Sequence, residues 1–133
     1  NDDLVVVQQG EILTWLGQAE EGIVWIKKAM RLNPYHPERF WHHLARACFA
    51  AGRYDEALEA LKCLTAPDPM QRVLVACCHV RLGDLASAEA QRRLALATAP
   101  QLTIAEYLTT LHYRDPADRE HHRESVERAG FPP

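Results

Sequence analysis

The sequence lacks a long hydrophobic run and an excess of positive charge, and these two absences exclude broad classes of protein. Its longest apolar stretch, Val73 to Val80, covers about two helical turns, far short of the roughly 20 residues that span a bilayer. The formal net charge of −3 argues against a general electrostatic grip on nucleic acid or anionic lipid. We therefore expect neither a membrane-spanning segment nor direct contact with nucleic acid.

The chain is also poor in the motifs of common catalytic sites. Its two serines, Ser87 and Ser125, lie outside any G-x-S-x-G turn. The glycine-rich phosphate-binding motifs G-x-x-x-x-G-K-[ST] and G-x-G-x-x-G do not occur in the sequence. Adjacent histidines, as in His42–His43 and His121–His122, point about 100° apart on a helix and do not form the i,i+4 ligand pairs of a metal site. We expect no enzymatic activity, no metal and no cofactor in this segment, with the histidines at surfaces or interfaces.

The four cysteines form no C-x-x-C motif, and two of them are adjacent in sequence: Cys48, Cys63, Cys77 and Cys78. This spacing favours small, buried, apolar residues in a reducing compartment over a disulfide or metal framework. The cytoplasm is therefore the predicted location.

Strand-like alternation is missing as well, whereas apolar residues recur three and four positions apart along almost the whole chain. This periodicity predicts an all-α fold. The predicted helices cover about residues 4–16, 20–32, two helices within 40–64, then 70–82, 85–99, 103–112, and a last helix between Asp115 and Gly130. The last helix is polar and has the clearest ends, because Asp115 suits its N-cap, Pro116 its first position and Gly130 its C-terminal stop.

Turn glycines and helix-ending prolines recur in phase. The glycines are spaced by 35 and then 31 residues, at Gly17, Gly52 and Gly83. The prolines repeat the same two spacings, at Pro34, Pro69 and Pro100. Turn glycines and helix-ending prolines that recur with a period of about 34 residues are typical of a helix-turn-helix repeat. In the middle repeat, Ala45 and Ala57 are predicted to lie where the two helices approach closely.

These residues resemble the tetratricopeptide repeat (TPR) family. The middle repeat carries the family's consensus residues at Trp41, Leu44, Ala45, Gly52, Tyr54, Ala57 and Pro69. The resemblance implies a right-handed α-solenoid in which residues 1–133 form one domain. Its predicted parts are repeats at about 4–34, 38–69 and 70–100, followed by an extra helix and a capping helix in 101–133.

In TPR proteins the first helix of each pair lines a concave groove, and the resemblance implies the same here. The positions carried over are Arg39, His42, Arg46, Phe49, Val73, Cys77, Val80 and Tyr107. They predict an apolar groove with a small basic spot at Arg39 and Arg46. Its expected occupant is a protein or peptide partner, the chain's own upstream domain, or a second copy in a homodimer.

A second resemblance concerns residues 33–58 together with 112–120 and 129–133. Their sequence is similar to the C-terminal region of bacterial multidomain signalling proteins, in which a class III adenylate or guanylate cyclase domain precedes a TPR array. Some winged-helix transcriptional regulators have a similar C-terminal region. The resemblance implies a protein–protein interaction scaffold within a larger signalling protein. The alternatives are a self-association module or a regulatory part of a cyclase or transcriptional regulator.

Overall fold

The structure is a computed structural model that describes residues 2–133; Asn1, the first residue of the predicted domain, lies outside the described residues. Residues 2–133 form eight helices and no strand. The helices are α1 (Asp2–Trp15), α2 (Ala19–Leu32), α3 (Arg39–Ala50), α4 (Tyr54–Leu61), α5 (Pro69–Arg81), α6 (Leu85–Thr98), α7 (Ile104–Leu108) and α8 (Pro116–Arg128).

The first six helices pack in chain order. Each contacts the next, and α3 also contacts α1 on one side and α5 on the other. The first helices of the three pairs therefore lie in one row and their second helices in another. An α-solenoid is defined by helix pairs that each contact the adjacent pairs along the chain. The predicted all-α solenoid is confirmed.

The three turn glycines end the first helix of each pair in the same way. Their φ angles are +86° at Gly17, +79° at Gly52 and +79° at Gly83, in the left-handed region that favours glycine. In each turn the amide after the glycine donates to a carbonyl five residues earlier: Gln18 to Leu13 and Arg53 to Cys48 at 2.8 Å, and Asp84 to His79 at 2.9 Å. This is the hydrogen bond of a Schellman C-cap, so the in-phase glycines are helix stops.

Small residues let the paired helices approach closely. A Cβ atom on Gly22 of α2 would lie 2.8 Å from the carbonyl oxygen of Gly10 in α1. The positions 35 residues later are Ala45 in α3 and Ala57 in α4, and both are fully buried. The small-residue register is thus shared by the first two pairs.

The helix ends follow local capping chemistry. Asp68 caps α5 through a capping box with Gln71, and Asp115 caps α8 ahead of Pro116. The predicted ends of α8 are confirmed, since Gly130 has a φ of +89°. α7 is shorter than expected because the hydroxyls of Thr109 and Thr110 bond to carbonyls three residues back, where the helix ends.

The C-terminal tail folds back onto the solenoid. α8 packs against α5 and α7, and it buries His122, Ser125 and Val126. The approach to α8 is tied to the first helix pair, because the Arg114 amide donates to the carbonyl of Trp15 at 2.8 Å. The tail therefore closes the array and also covers part of its side.

Candidate interaction surface

The eight residues of the predicted groove lie on three helices. Arg39, His42, Arg46 and Phe49 are on α3; Val73, Cys77 and Val80 are on α5; Tyr107 is on α7. We call the surface made by these residues the inner face. It lies along the row of first helices, as expected for a concave solenoid surface.

Five of the eight residues are inaccessible to a second molecule in this structure. Their exposed fractions are between 0% and 4%: Phe49, Val73, Cys77, Val80 and Tyr107. Of the remaining three, Arg39 is exposed, whereas His42 and Arg46 are half-buried. The inner face is thus not open along its whole length, and α8 covers part of it, because it packs against α5 and lies on Phe49.

Aromatic contacts join α8 to α3 and α4. The ring of Phe49 lies 4.7 Å from the ring of His122 and 5.1 Å from that of His121, measured between centroids. The Tyr54 hydroxyl is 2.8 Å from Nε2 of His121. Phe49, which was expected to meet a partner, therefore meets the chain's own tail.

Arg81 fixes the middle of α8 from the last turn of α5. Its Nε donates to Oγ of Ser125 at 2.7 Å, and a terminal nitrogen donates to the carbonyl of His121 at 2.8 Å. The Ser125 hydroxyl donates in turn to that same carbonyl at 2.8 Å. Hydrogen bonds from a charged group are stronger than those between neutral groups, so Arg81 determines the register of α8.

His122 is a fully buried polar residue between two tyrosines. Its Nε2 lies 2.8 Å from the Tyr107 hydroxyl, and its Nδ1 lies 2.9 Å from the Tyr113 hydroxyl. Burial, reinforced by the charge of Arg46, lowers the pKa of His122 well below its usual value. The imidazole is therefore neutral, so one tyrosine donates to it and the other accepts from it.

Arg46 is held by groups of this chain rather than presented to solvent. Its guanidinium carbon lies 4.7 Å from the centre of the Trp15 ring, in cation–π contact. A terminal nitrogen is 2.7 Å from Nε2 of His42, and another is 3.5 Å from the carboxylate of Glu11. The basic spot is consequently carried to solvent mainly by Arg39.

His42 is neutral because it is buried beside a positive charge. Burial is the main cause that lowers its pKa to about 3, with further lowering by Arg46 and His43. Since Nε2 accepts from the guanidinium of Arg46, the proton sits on Nδ1, which has no partner among the described residues. His42 is thus neutral, and its Nδ1 is buried rather than presented to solvent.

The accessible part of the inner face is a cavity of about 210 Å³ between α3, α5 and α7. Three predicted groove residues converge on it: His42, Arg46 and Tyr107. Asp68 and Gln71, at the start of α5, supply further polar walls. The structure therefore brings part of the predicted site together, at the end that α8 leaves uncovered.

The sequence pattern did not single out the residues by which α8 docks. His121 and His122 were interpreted as surface or interface histidines, whereas His122 is fully buried. A signal was present, because His122, Ser125, Val126 and Ala129 recur at helical spacing and are all buried. Two of these four residues are polar, so a search for apolar residues alone does not reveal the buried face of α8.

The cysteines follow the prediction at three positions of four. Cys48, Cys77 and Cys78 are buried free thiols, as expected. Cys63 was placed on a packed face, and this was wrong: it is exposed, because α4 ends at Leu61 and the chain leaves the packed surface there.

Across residues 2–133, His, Cys, Asp and Glu side chains nowhere gather in threes that could hold a metal ion. Over the same residues, every helix is too short or too polar to cross a bilayer.

One comparison with known proteins identifies part of the chain. Residues 38–63, which contain α3 and α4, match the family model described as Tetratricopeptide repeat. No curated protein matches the sequence significantly. TPR repeats are non-catalytic helical scaffolds that generally mediate protein–protein interaction. The matched segment and the solenoid around it together support the tetratricopeptide repeat family for this protein.

Proposed function

We propose that this protein is a protein–protein interaction module whose inner face binds a helix of a partner protein. The observation that carries the proposal is the seating of α8 on that face, where His122 packs on Phe49 and is hydrogen-bonded to Tyr107. A surface that holds one helix through aromatic packing and Arg81 has the shape and the donors to hold another. The partner helix competes with α8 for the same contacts.

The uncovered cavity is the proposed first contact of the partner. His42 and Arg46 line it, and Arg39, three residues before His42 on α3, is exposed. A carboxylate on the partner suits the exposed Arg39, because opposite charges steer association. Arg46 contributes less directly, since Trp15 and Glu11 already engage its guanidinium.

The wider role we propose is that of the C-terminal scaffold of a larger bacterial signalling protein in the cytoplasm. Its basis is the resemblance of residues 33–58 and of the tail to such regions. Residues 1–133 then act as one solenoid domain with repeats at about 4–34, 38–69 and 70–100. The order of helix contacts supports this division.

The test is binding of the α8 segment in trans. A labelled synthetic peptide of residues 115–131 is titrated into the full chain carrying Val126→Asp, and fluorescence anisotropy is measured. Val126 is fully buried, so an aspartate there loosens the resident helix. We expect saturable binding by this variant and at least about tenfold weaker binding by the unmodified chain, in which α8 competes.

Ala117→Asp is the matched control, because it places the same charge on an exposed position of the same helix. It should bind the peptide no better than the unmodified chain. Circular dichroism establishes that both variants keep the helical array. A folded Val126→Asp variant that leaves the peptide unbound at millimolar concentration contradicts the proposal.

A second candidate function is self-association, which one feature of α1 favours. Val5 and Ile12 of α1, and Leu16 directly after its end, are 65%, 50% and 42% exposed, and they share one side at spacings of seven and four. Gln8 and Gln9, which lie between them in sequence, are uncharged. Two copies could pair through this stripe without like-charge repulsion, in an isologous dimer.

A further inference from the structure

Two grooves run on either side of α4, at equivalent positions of successive helix pairs. The first is floored by Trp41, Leu44 and Cys48 of α3. The second is floored by the residues 31 positions later, Arg72, Val75 and His79 of α5. The floors of the two grooves thus occupy equivalent positions of the repeat and differ in their side chains.

The first depression, which we call the acidic groove, encloses about 410 Å³. Trp41, Leu44 and Cys48 give it an apolar floor. Its α4 wall carries three exposed carboxylates, those of Asp55, Glu56 and Glu59, and Cys63 lies at one end. A volume of this size is within the range of pockets that hold small ligands or side chains.

The carboxylates of the acidic groove are only loosely neutralised by this chain. Glu56 pairs with Lys27 at 3.7 Å and with Arg53 at 3.3 Å, and Glu59 pairs with Lys62 at 3.0 Å. Exposed ion pairs of this kind are weak, so a ligand's cations can compete for the carboxylates. Asp55 takes part in no ion pair among the described residues.

The second depression, which we call the basic groove, has the opposite charge. It encloses about 250 Å³ and is lined by Lys62, Arg72 and His79, with Leu58 and Val75 as apolar surface. The two grooves share α4 but differ in charge and in size. The acidic groove takes its α4 wall from the same helix pair, whereas the basic groove takes it from the preceding pair.

We propose that the acidic groove binds a short extended peptide segment in which apolar residues are flanked by lysine or arginine. The floor from Trp41 to Cys48 spans seven residues of helix, roughly 10 Å, which matches about three extended residues. The apolar residues cover the floor, and the flanking cations pair with Asp55 and Glu59. Charge complementarity to the α4 wall selects this peptide over an acidic one.

This groove is distinct from the inner face. The residues of α3 that floor it, Trp41, Leu44 and Cys48, lie about 100° or more around the helix from His42 and Arg46. Failure of one site consequently leaves the other untouched. The inference shares with the proposed function only the general role in binding proteins.

The test uses Cys63 as a reporter in the full chain. Cys63 is the exposed cysteine, whereas the other three are buried, and burial raises the pKa of Cys48 to about 11. The rate of Cys63 modification by a disulfide reagent is measured with acetyl-Lys-Leu-Phe-Leu-Lys-amide present. We expect saturable slowing of the reaction, and no slowing with the same peptide carrying glutamate in place of lysine.

Two charge reversals localise the effect. Glu59→Lys places a cation in the wall and should weaken protection by about twofold to fivefold, the range expected for one exposed ion pair. Glu89→Lys is the matched control, because Glu89 also pairs with a cation three residues later, Arg92, but lies on α6 outside the groove. It should leave protection unchanged.

Three results would overturn the inference: no protection at millimolar peptide, equal protection by both peptides, or equal loss in the two glutamate variants. Arg39→Glu separates this site from the inner face. Since Arg39 lies outside the acidic groove, that variant should protect Cys63 as the unmodified chain does. Loss of protection in Arg39→Glu would also count against the acidic groove as the site.

Discussion

His122 is the residue at which the tail and the solenoid share one hydrogen-bond network. It is fully buried, bonded to Tyr107 and Tyr113, and packed on Phe49. A buried polar residue is tolerated when its groups are paired, and this one uses both ring nitrogens. The docking of α8 thus depends on an imidazole that stays neutral.

Stability should therefore fall as the pH drops below the ordinary histidine value. Burial lowers the pKa of His122, so below about pH 6.5 the unfolded chain binds a proton that the folded chain does not. The free energy of unfolding then decreases by about 1.4 kcal/mol per pH unit for each such proton. The stability contributed by the neutral His122 is fully present above the pKa of histidine in the unfolded chain, and it is lost progressively as the pH falls below that value.

The measurement is urea unfolding between about pH 5 and 7, for the unmodified chain and for His122→Gln. The variant lacks the titrating group, so its free energy of unfolding should fall less steeply toward acid. His112→Gln is the control, because His112 is exposed. Identical pH slopes for all three proteins would contradict a neutral, buried His122.

At the scale of the elements, α8 and α7 show where local chemistry predicts structure and where it does not. The ends of α8 were predictable because Asp115, Pro116 and Gly130 act through backbone bonds close in sequence. Its partners were not, since Arg81 and Phe49 lie far away in the chain. The length of α7 was overestimated because periodicity alone does not register Thr109 and Thr110.

α1 carries the element-scale prediction, which concerns its exposed apolar stripe. If two copies pair through it, Ile12→Glu should shift the molecular mass from dimer toward monomer, because the charge would be buried at the interface. Multi-angle light scattering over a concentration series measures this. Gln9→Glu, which places the same charge beside the stripe, should shift the molecular mass less. Glu11 is left unchanged because its carboxylate contacts Arg46. A monomer at all concentrations excludes self-association.

At the scale of the whole molecule, the sequence alone predicted the solenoid but not the path of its tail. Gly17, Gly52 and Gly83 recur in phase, and a repeat needs only neighbour contacts to be recognised. For the site, the resemblance to the TPR family placed the predicted residues of α3 and α5 on one surface. The covering of Phe49 by α8 could not follow from that resemblance, because it depends on contacts between distant parts of the chain, such as Phe49 with His122 and Arg81 with Ser125.

The most direct test of the account is whether α8 lies on the inner face in solution. The rings of Phe49 and His122 are 4.7 Å apart between centroids, close enough for a strong nuclear Overhauser effect between their protons. We expect this cross-peak, together with one between His121 and Tyr54, whose rings are 6.1 Å apart. Absence of both in the folded, fully assigned protein would show that the inner face is open, and would contradict the central claim.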